Sequence, residues 1–193
     1  MSLLTVTTAP AVTPITLAEA KSQLRLTTSN EDDHVTTLIE AATTRAEEYQ
    51  RRSLVNRTYT LLVKDFSGWK ILLSRPPLVS VTSVKYYDVD GAQQTLVAGT
   101  DYQVVQHDTT PYLLPAVDTE WPATDGRENG VEIVYVAGYG ASGDDVPADT
   151  KQGIKMLVSD FFENRESEIV GLMTMSMKMT AKSLLSIDRI REV

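Results

Sequence analysis

Gly138-Tyr139-Gly140-Ala141-Ser142-Gly143 has the form G-x-G-x-x-G and follows a β-type run, the place where a pyrophosphate-binding loop would sit. Such a loop needs a helix opening inside the glycines, so that bare amides face the anion. Here Asp144 and Asp145 come next and Pro147 delays the helix, so a turn is expected. Asp88-Val89-Asp90-Gly91 resembles part of a calcium loop, but its glycine falls too early and Gly99 occupies the closing glutamate position. It is expected to be a hairpin turn. His34 and His107 are far apart in the chain and are expected to be solvated rather than to act as ligands or bases. Glu163, Glu166 and Glu168, with Arg165, form an acidic cluster after a helical run. A pair of such acids can serve as general acid and base in a concave site, whereas a salt-bridged helix end is the simpler expectation. No Ser/His/Asp, Cys/His or Walker-type set is present, and no catalytic residue, cofactor or metal is expected. Trp69, Tyr86, Tyr87 and Trp121 are the candidates for a stacking platform on which a carbohydrate or another surface would rest.

The elements that would position these groups change character along the chain. Thr16-Leu17-Ala18-Glu19 is a capping box that starts a short helix with Leu17, Ala20 and Leu24 on one side. The polar run Thr27–Asn30 ends it and can cap a second helix, from Glu31 to about Arg52, whose apolar positions are Val35, Leu38, Ile39, Ala42, Ala46 and Tyr49. Glu31, Asp32 and Asp33 lie at the positive end of that helix dipole, and Arg51 and Arg52 at the other.

From Arg57 the chain reads as strands: Thr58–Asp65, Trp69–Leu73, Val79–Asp88, Gln93–Val97, Tyr102–Gln106 and Val131–Ala137. Pro111, Pro115 and Pro122 break the stretch around Trp121 into loop. After Pro147 the helical period returns with Ile154, Leu157, Val158, Phe161 and Phe162. The expected class is α+β: a bundle of three to four helices with a small inserted antiparallel β-lobe. Residues 1–57 supply the first part of the helical framework, 58–137 the lobe, and 138–193 the second part with a C-terminal arm, all in one compact domain.

The arm is the least ordinary segment. Met173, Met175, Met177 and Met179 alternate with polar residues at strand period, and Leu184, Leu185, Ile187 and Ile190 follow at helical spacing. An adaptable apolar edge of this kind suits docking on a partner, so these eight residues are the candidate partner-binding set. The alternative is an internal edge strand or part of the core.

Bulk composition narrows the classes further. With 193 residues, 42% of them apolar, the chain can bury one substantial core. A net charge of −8 argues against gripping DNA through its phosphates. With no cysteine, disulfides and thiolate metal sites are excluded. The chain shows neither a leader pattern nor a run near the roughly 20 apolar residues of a membrane span, so a soluble protein with no membrane partner is expected. Asn56-Arg57-Thr58 matches a glycosylation acceptor by chance.

Read in order, Ile15–Lys21, Arg75-Pro76-Pro77-Leu78 leading into a strand, Trp121-Pro122, Ala137-Gly138-Tyr139-Gly140, and Val146-Pro147 before a helix ending Phe162-Glu163-Asn164-Arg165 resemble one family. It is the head–tail connector, or adaptor, family of long-tailed bacteriophages and prophages. Each motif alone is unspecific; their collinearity over most of the chain carries the resemblance. The methionine-rich segment has no counterpart in that pattern. The resemblance implies a structural virion protein, not an enzyme, that forms a ring, expected to be dodecameric, beneath the portal protein and joins the filled capsid to the tail. It implies portal and tail or stopper proteins as partners, with assembly in the host cytoplasm and residence at the head–tail junction. DNA would pass through without specific binding, which the acidic balance favours. The readings from other classes are a small enzyme built on Glu163, Glu166 and Glu168, and the carbohydrate- or surface-binding β-module.

Overall fold

The computed structural model describes residues 2–66, 68–164 and 179–190. In chain order the elements are β1 (Leu3–Thr8), α1 (Leu17–Leu24), α2 (Asp32–Gln50), β2 (Arg57–Val63), β3 (Ile71–Leu72), β4 (Leu78–Tyr87), β5 (Gln93–Leu96), β6 (Tyr102–Val105), β7 (Tyr112–Pro115), β8 (Val131–Ala137), α3 (Ala148–Glu163) and α4 (Met179–Ser186). The class is α+β. The chain divides into two compact units, a β unit of the residues up to Pro10 with Asn56–Tyr139, and a helical unit of Ala11–Val55 with the chain from Gly140 onward.

The β unit holds a five-stranded sheet in the order β1-β2-β8-β4-β5 and a three-stranded sheet β3-β7-β6, antiparallel throughout. The period-2 pattern of β8 explains its central place. Val131, Ile133, Tyr135 and Ala137 are all buried, and the residues between them are half-buried. Tyr135 stacks on its register partner Tyr59 with ring centroids 5.5 Å apart, and its hydroxyl donates to the Ser74 carbonyl at 2.8 Å. Burial pushes the Tyr135 phenol above its ordinary value. Two strands depart from the sequence expectation. Leu3–Thr8, read there with the helical framework, pairs with β2. Tyr112–Pro115, read as loop between prolines, pairs with both β3 and β6. Its Pro115 stands at the last register position, opposite Tyr102, where a missing N–H disturbs the ladder least.

The helical unit follows the apolar periods closely. Val35, Ile39, Ala42 and Ala46 are buried along α2, as are Ile154, Leu157 and Val158 along α3. Thr16 caps α1 with the expected reciprocal box. Helix α2, in contrast, has no side-chain cap; Glu31 occupies the cap position and Asp32 and Asp33 supply negative charge in the first turn. Asp32 also accepts from the Lys21 ammonium at 2.6 Å, tying α2 to α1.

Glu19 joins α1 to α3. Its carboxylate accepts from the Thr16 amide at 2.8 Å and from the Lys155 ammonium at 3.0 Å, with Lys151 at 3.7 Å. The Thr16 amide foremost, then Lys155, hold its pKa at about 2 against the opposing effect of partial burial. The folded value lies below the ordinary 4.5, so the stabilisation is complete above pH 4.5 and is lost as pH falls toward 2. The carboxylate is 31% exposed, and screening reduces the contribution to about 1 kcal/mol. Glu19→Gln, which keeps the capping acceptor but loses the charge, is expected to lower stability by about that amount at pH 7 and to approach the parent only at about pH 2. Urea denaturation at the two pH values measures it; a deficit that does not change with pH would contradict the assignment.

Candidate functional site

The candidate partner-binding residues are divided by the fold. Met173, Met175 and Met177 lie outside the described residues. Met179 opens α4 and is 88% exposed, and Ile187, just beyond its end, is 63% exposed. Leu184 and Ile190 are half-buried. Leu185 is fully buried in the chain's own helical core and is therefore not a surface residue. It packs over Gly153 of α3, where an added Cβ would come within 2.8 Å of its Cγ. The close approach of α3 and α4 depends on that missing side chain.

A buried polar network fastens the α4 segment. Gln50, the last residue of α2, is fully buried; its amide nitrogen donates to the Thr150 hydroxyl at 3.0 Å and the Leu185 carbonyl at 3.1 Å. The main-chain carbonyl of Gln50 accepts from the Ile190 amide at 3.1 Å. Arg52, also buried, donates through Nε to the Asp188 carbonyl at 2.7 Å, and the Arg189 guanidinium lies 4.6 Å from the Tyr49 ring centre. Sequence reasoning assigned Arg52 only a dipole role and did not single out Gln50. A polar residue at the last turn of an otherwise apolar stripe was the available signal.

The sequence motifs that suggested chemistry resolve into structure. In the glycine run a Cβ at Gly140 would coincide with the Asp145 carboxylate, and that carboxylate accepts from the Ser142 amide at 2.9 Å. The anion in the loop is the protein's own side chain. Gly143 faces the Thr13 and Pro14 carbonyls, 2.7 and 2.8 Å from a built Cβ, which leaves no room for any other residue. In the Asp88 turn the carboxylate accepts from the Asp90 and Ala92 amides and the Gln94 side chain, and these bonds lower its pKa, Gln94 foremost. Its acceptors are occupied by the hairpin, which is closed by Gly91 in the left-handed region.

His34 is exposed and lies 6.1 Å from the Phe162 ring; His107 is exposed and accepts from the Thr109 and Thr110 amides in its own turn. Glu163 is exposed at the end of α3, while Glu166 and Glu168 lie outside the described residues. Among the described residues no three His, Asp or Glu side chains converge as a metal site would require. The four aromatics do not share a platform. Trp121 stacks on Phe66 at 4.8 Å, Tyr86 meets the same ring edge-on, and Arg127 covers Tyr87. Trp69 alone is largely exposed, edge to Tyr112, with Lys70 over both rings. Among the described residues no helix is long and apolar enough to cross a membrane.

Against known proteins, the family model described as "Head completion protein" matches residues 13–183. A solved structure, the neck of an empty GTA particle computed with C6 symmetry, contains a chain 27% identical with a TM-score of 0.81, the match covering 99% of this chain and 97% of that one. The virion of the native gene transfer agent (GTA) particle contains one 25% identical, TM-score 0.80, with the same coverage. The neck of the native particle computed with C12 symmetry gives 24% identity and a TM-score of 0.79, a likeness of fold. No curated protein matches. With 13–183 covered, nearly the whole of both units, the chain belongs to the head completion protein family.

Proposed function

We propose that this protein is the connector subunit that assembles as a ring between portal and tail and completes the DNA-filled head for tail attachment. Head completion proteins are structural components of the virion, not enzymes, and the chain acts through its surfaces. The observation that carries the reading is the likeness to a chain of a particle neck over 99% of the sequence, at 27% identity. The necks of that particle were computed with C6 and C12 symmetry, which supports a ring whose copy number fits twelve. A ring built from one chain needs two different, complementary surfaces on each copy.

Portal, tail and stopper proteins are the partners this role requires, with assembly in the host cytoplasm before residence in the particle. A net charge of −8 supports passage of DNA without retention, because a conduit should not hold phosphates. Met179 and Ile187 are the described part of the arm that we assign to partner contact. Both are exposed apolar residues on a segment fastened from the other side by Gln50 and Arg52. Fastening the base of the arm lowers the entropy lost when its exposed side chains dock.

Deletion of the gene from its parent phage or prophage is expected to give filled heads and complete, unattached tails by electron microscopy; normally joined particles would overturn the reading. Lys substitution of both Met179 and Ile187 is expected to cut joined particles on the order of tenfold, the loss of one modest interface contact. The unfolding free energy should stay within about 0.5 kcal/mol of the parent. Gln50→Leu removes the donors that hold the arm; it should cost about 1–2 kcal/mol and speed amide exchange over residues 179–190. Unchanged exchange there would show that the network does not fasten the segment.

A further inference from the structure

The five-stranded sheet ends in two open edges, β1 and β5. An open edge offers a row of unpaired N–H and C=O groups, and proteins that must stay apart guard it with charge, proline or a covering segment. The distribution of charge in this sheet runs the other way. The interior strands carry Arg57, Lys85 and Glu132, with Lys85 and Glu132 as register partners. The edge strands, Leu-Leu-Thr-Val-Thr-Thr and Gln-Gln-Thr-Leu, contain neither charge nor proline. On β1, Leu3 is 50% and Val6 49% exposed, and the pairing with β2 is regular from Leu3 to Val6 before the shift at Thr8. On β5, Gln93, Gln94 and Thr95 are exposed.

We propose that β1 of one copy pairs with β5 of the next, so that the sheet continues from subunit to subunit. The inference rests on the connector reading above. A second copy of this chain is the occupant because the two edges are different strands at opposite ends of one sheet, which is the complementary, non-self-pairing arrangement that a head-to-tail ring requires. Main-chain hydrogen bonds would provide the affinity, and covering Leu3 and Val6 would add apolar burial.

The chain contains no cysteine, so introduced thiols are its only ones. Particles are prepared with Thr5→Cys and Thr95→Cys together, and with Leu4→Cys or Val6→Cys combined with Gln94→Cys or Leu96→Cys to sample the register. Side chains directly opposite each other on paired strands come close enough to oxidise, with Cβ atoms about 4.5–5.5 Å apart. After copper–phenanthroline treatment, at least one pair is expected to give a reducible ladder of dimers, trimers and higher species. The single variants should remain monomeric. If the chain is incorporated in joined particles and no pair forms a ladder, the proposal is overturned. Cross-linking to a different protein also overturns it, since the edge then has another occupant. Absence of the unsubstituted chain from joined particles would instead overturn the connector reading, and the proposal with it.

Discussion

Arg57 and Ala137 are register partners, the first residue of β2 and the last of β8, and the helical unit depends on that pairing. Helices α2 and α3 belong to one unit but are separated in sequence by Asn56–Tyr139. A flexible loop of that length would exact a closure entropy every time the helices met. The β2–β8 ladder runs from Arg57↔Ala137 to Val63↔Val131 and brings the two ends of the insertion together. Within the helical unit, Val55 and Gly140 form a parallel bridge. Contacts between the two halves of that unit are thereby local in space although distant in sequence. The Gln50–Thr150 hydrogen bond spans 100 positions, and the contact of Leu185 over Gly153 completes the core.

Apolar burial and the polar bonds do different work in that unit. The apolar stripes of α2 and α3 supply most of the gross stabilisation, since burial of each large side chain is worth about 1.5–3 kcal/mol and a buried hydrogen bond about 1. The polar bonds decide which arrangement is adopted. Gln50 donates to the Leu185 carbonyl and Arg52 to the Asp188 carbonyl, at and just beyond the last turn of α4, and Glu19 sets α1 against α3 through Lys155. The result is a segment held on one side with Met179 and Ile187 exposed.

Elements with strong local signals were legible in the sequence. The Thr16–Glu19 capping box, the stripe from Val35 to Ala46 and the alternation of β8 each reappear at the expected residues. The misses share a cause, which is that the deciding partner is far away. Leu3–Thr8 carries a β-branched run from Thr5 to Thr8, but its partner β2 lies about fifty positions or more later, so its place at the edge of this sheet is not written nearby. Proline signals around Tyr112–Pro115 were outweighed by ladders on both sides. The same holds for the candidate site. Helical spacing placed Leu184, Leu185, Ile187 and Ile190 together as docking residues, but Leu185 turns inward over Gly153, a neighbour thirty-two positions away that local spacing does not reveal. The glycine run was legible as a turn, although the role of Asp145 in filling it was not.

On this reading the chain is a ring-forming, chemically inert part of a particle neck whose properties reside in its edges and exposed side chains. Electron cryo-microscopy of the neck of the parent particle tests that most directly. Density for this fold is predicted in a closed ring between the head and the tail. Density for the fold at the distal end of the tail, or a joined neck without it, would contradict the reading.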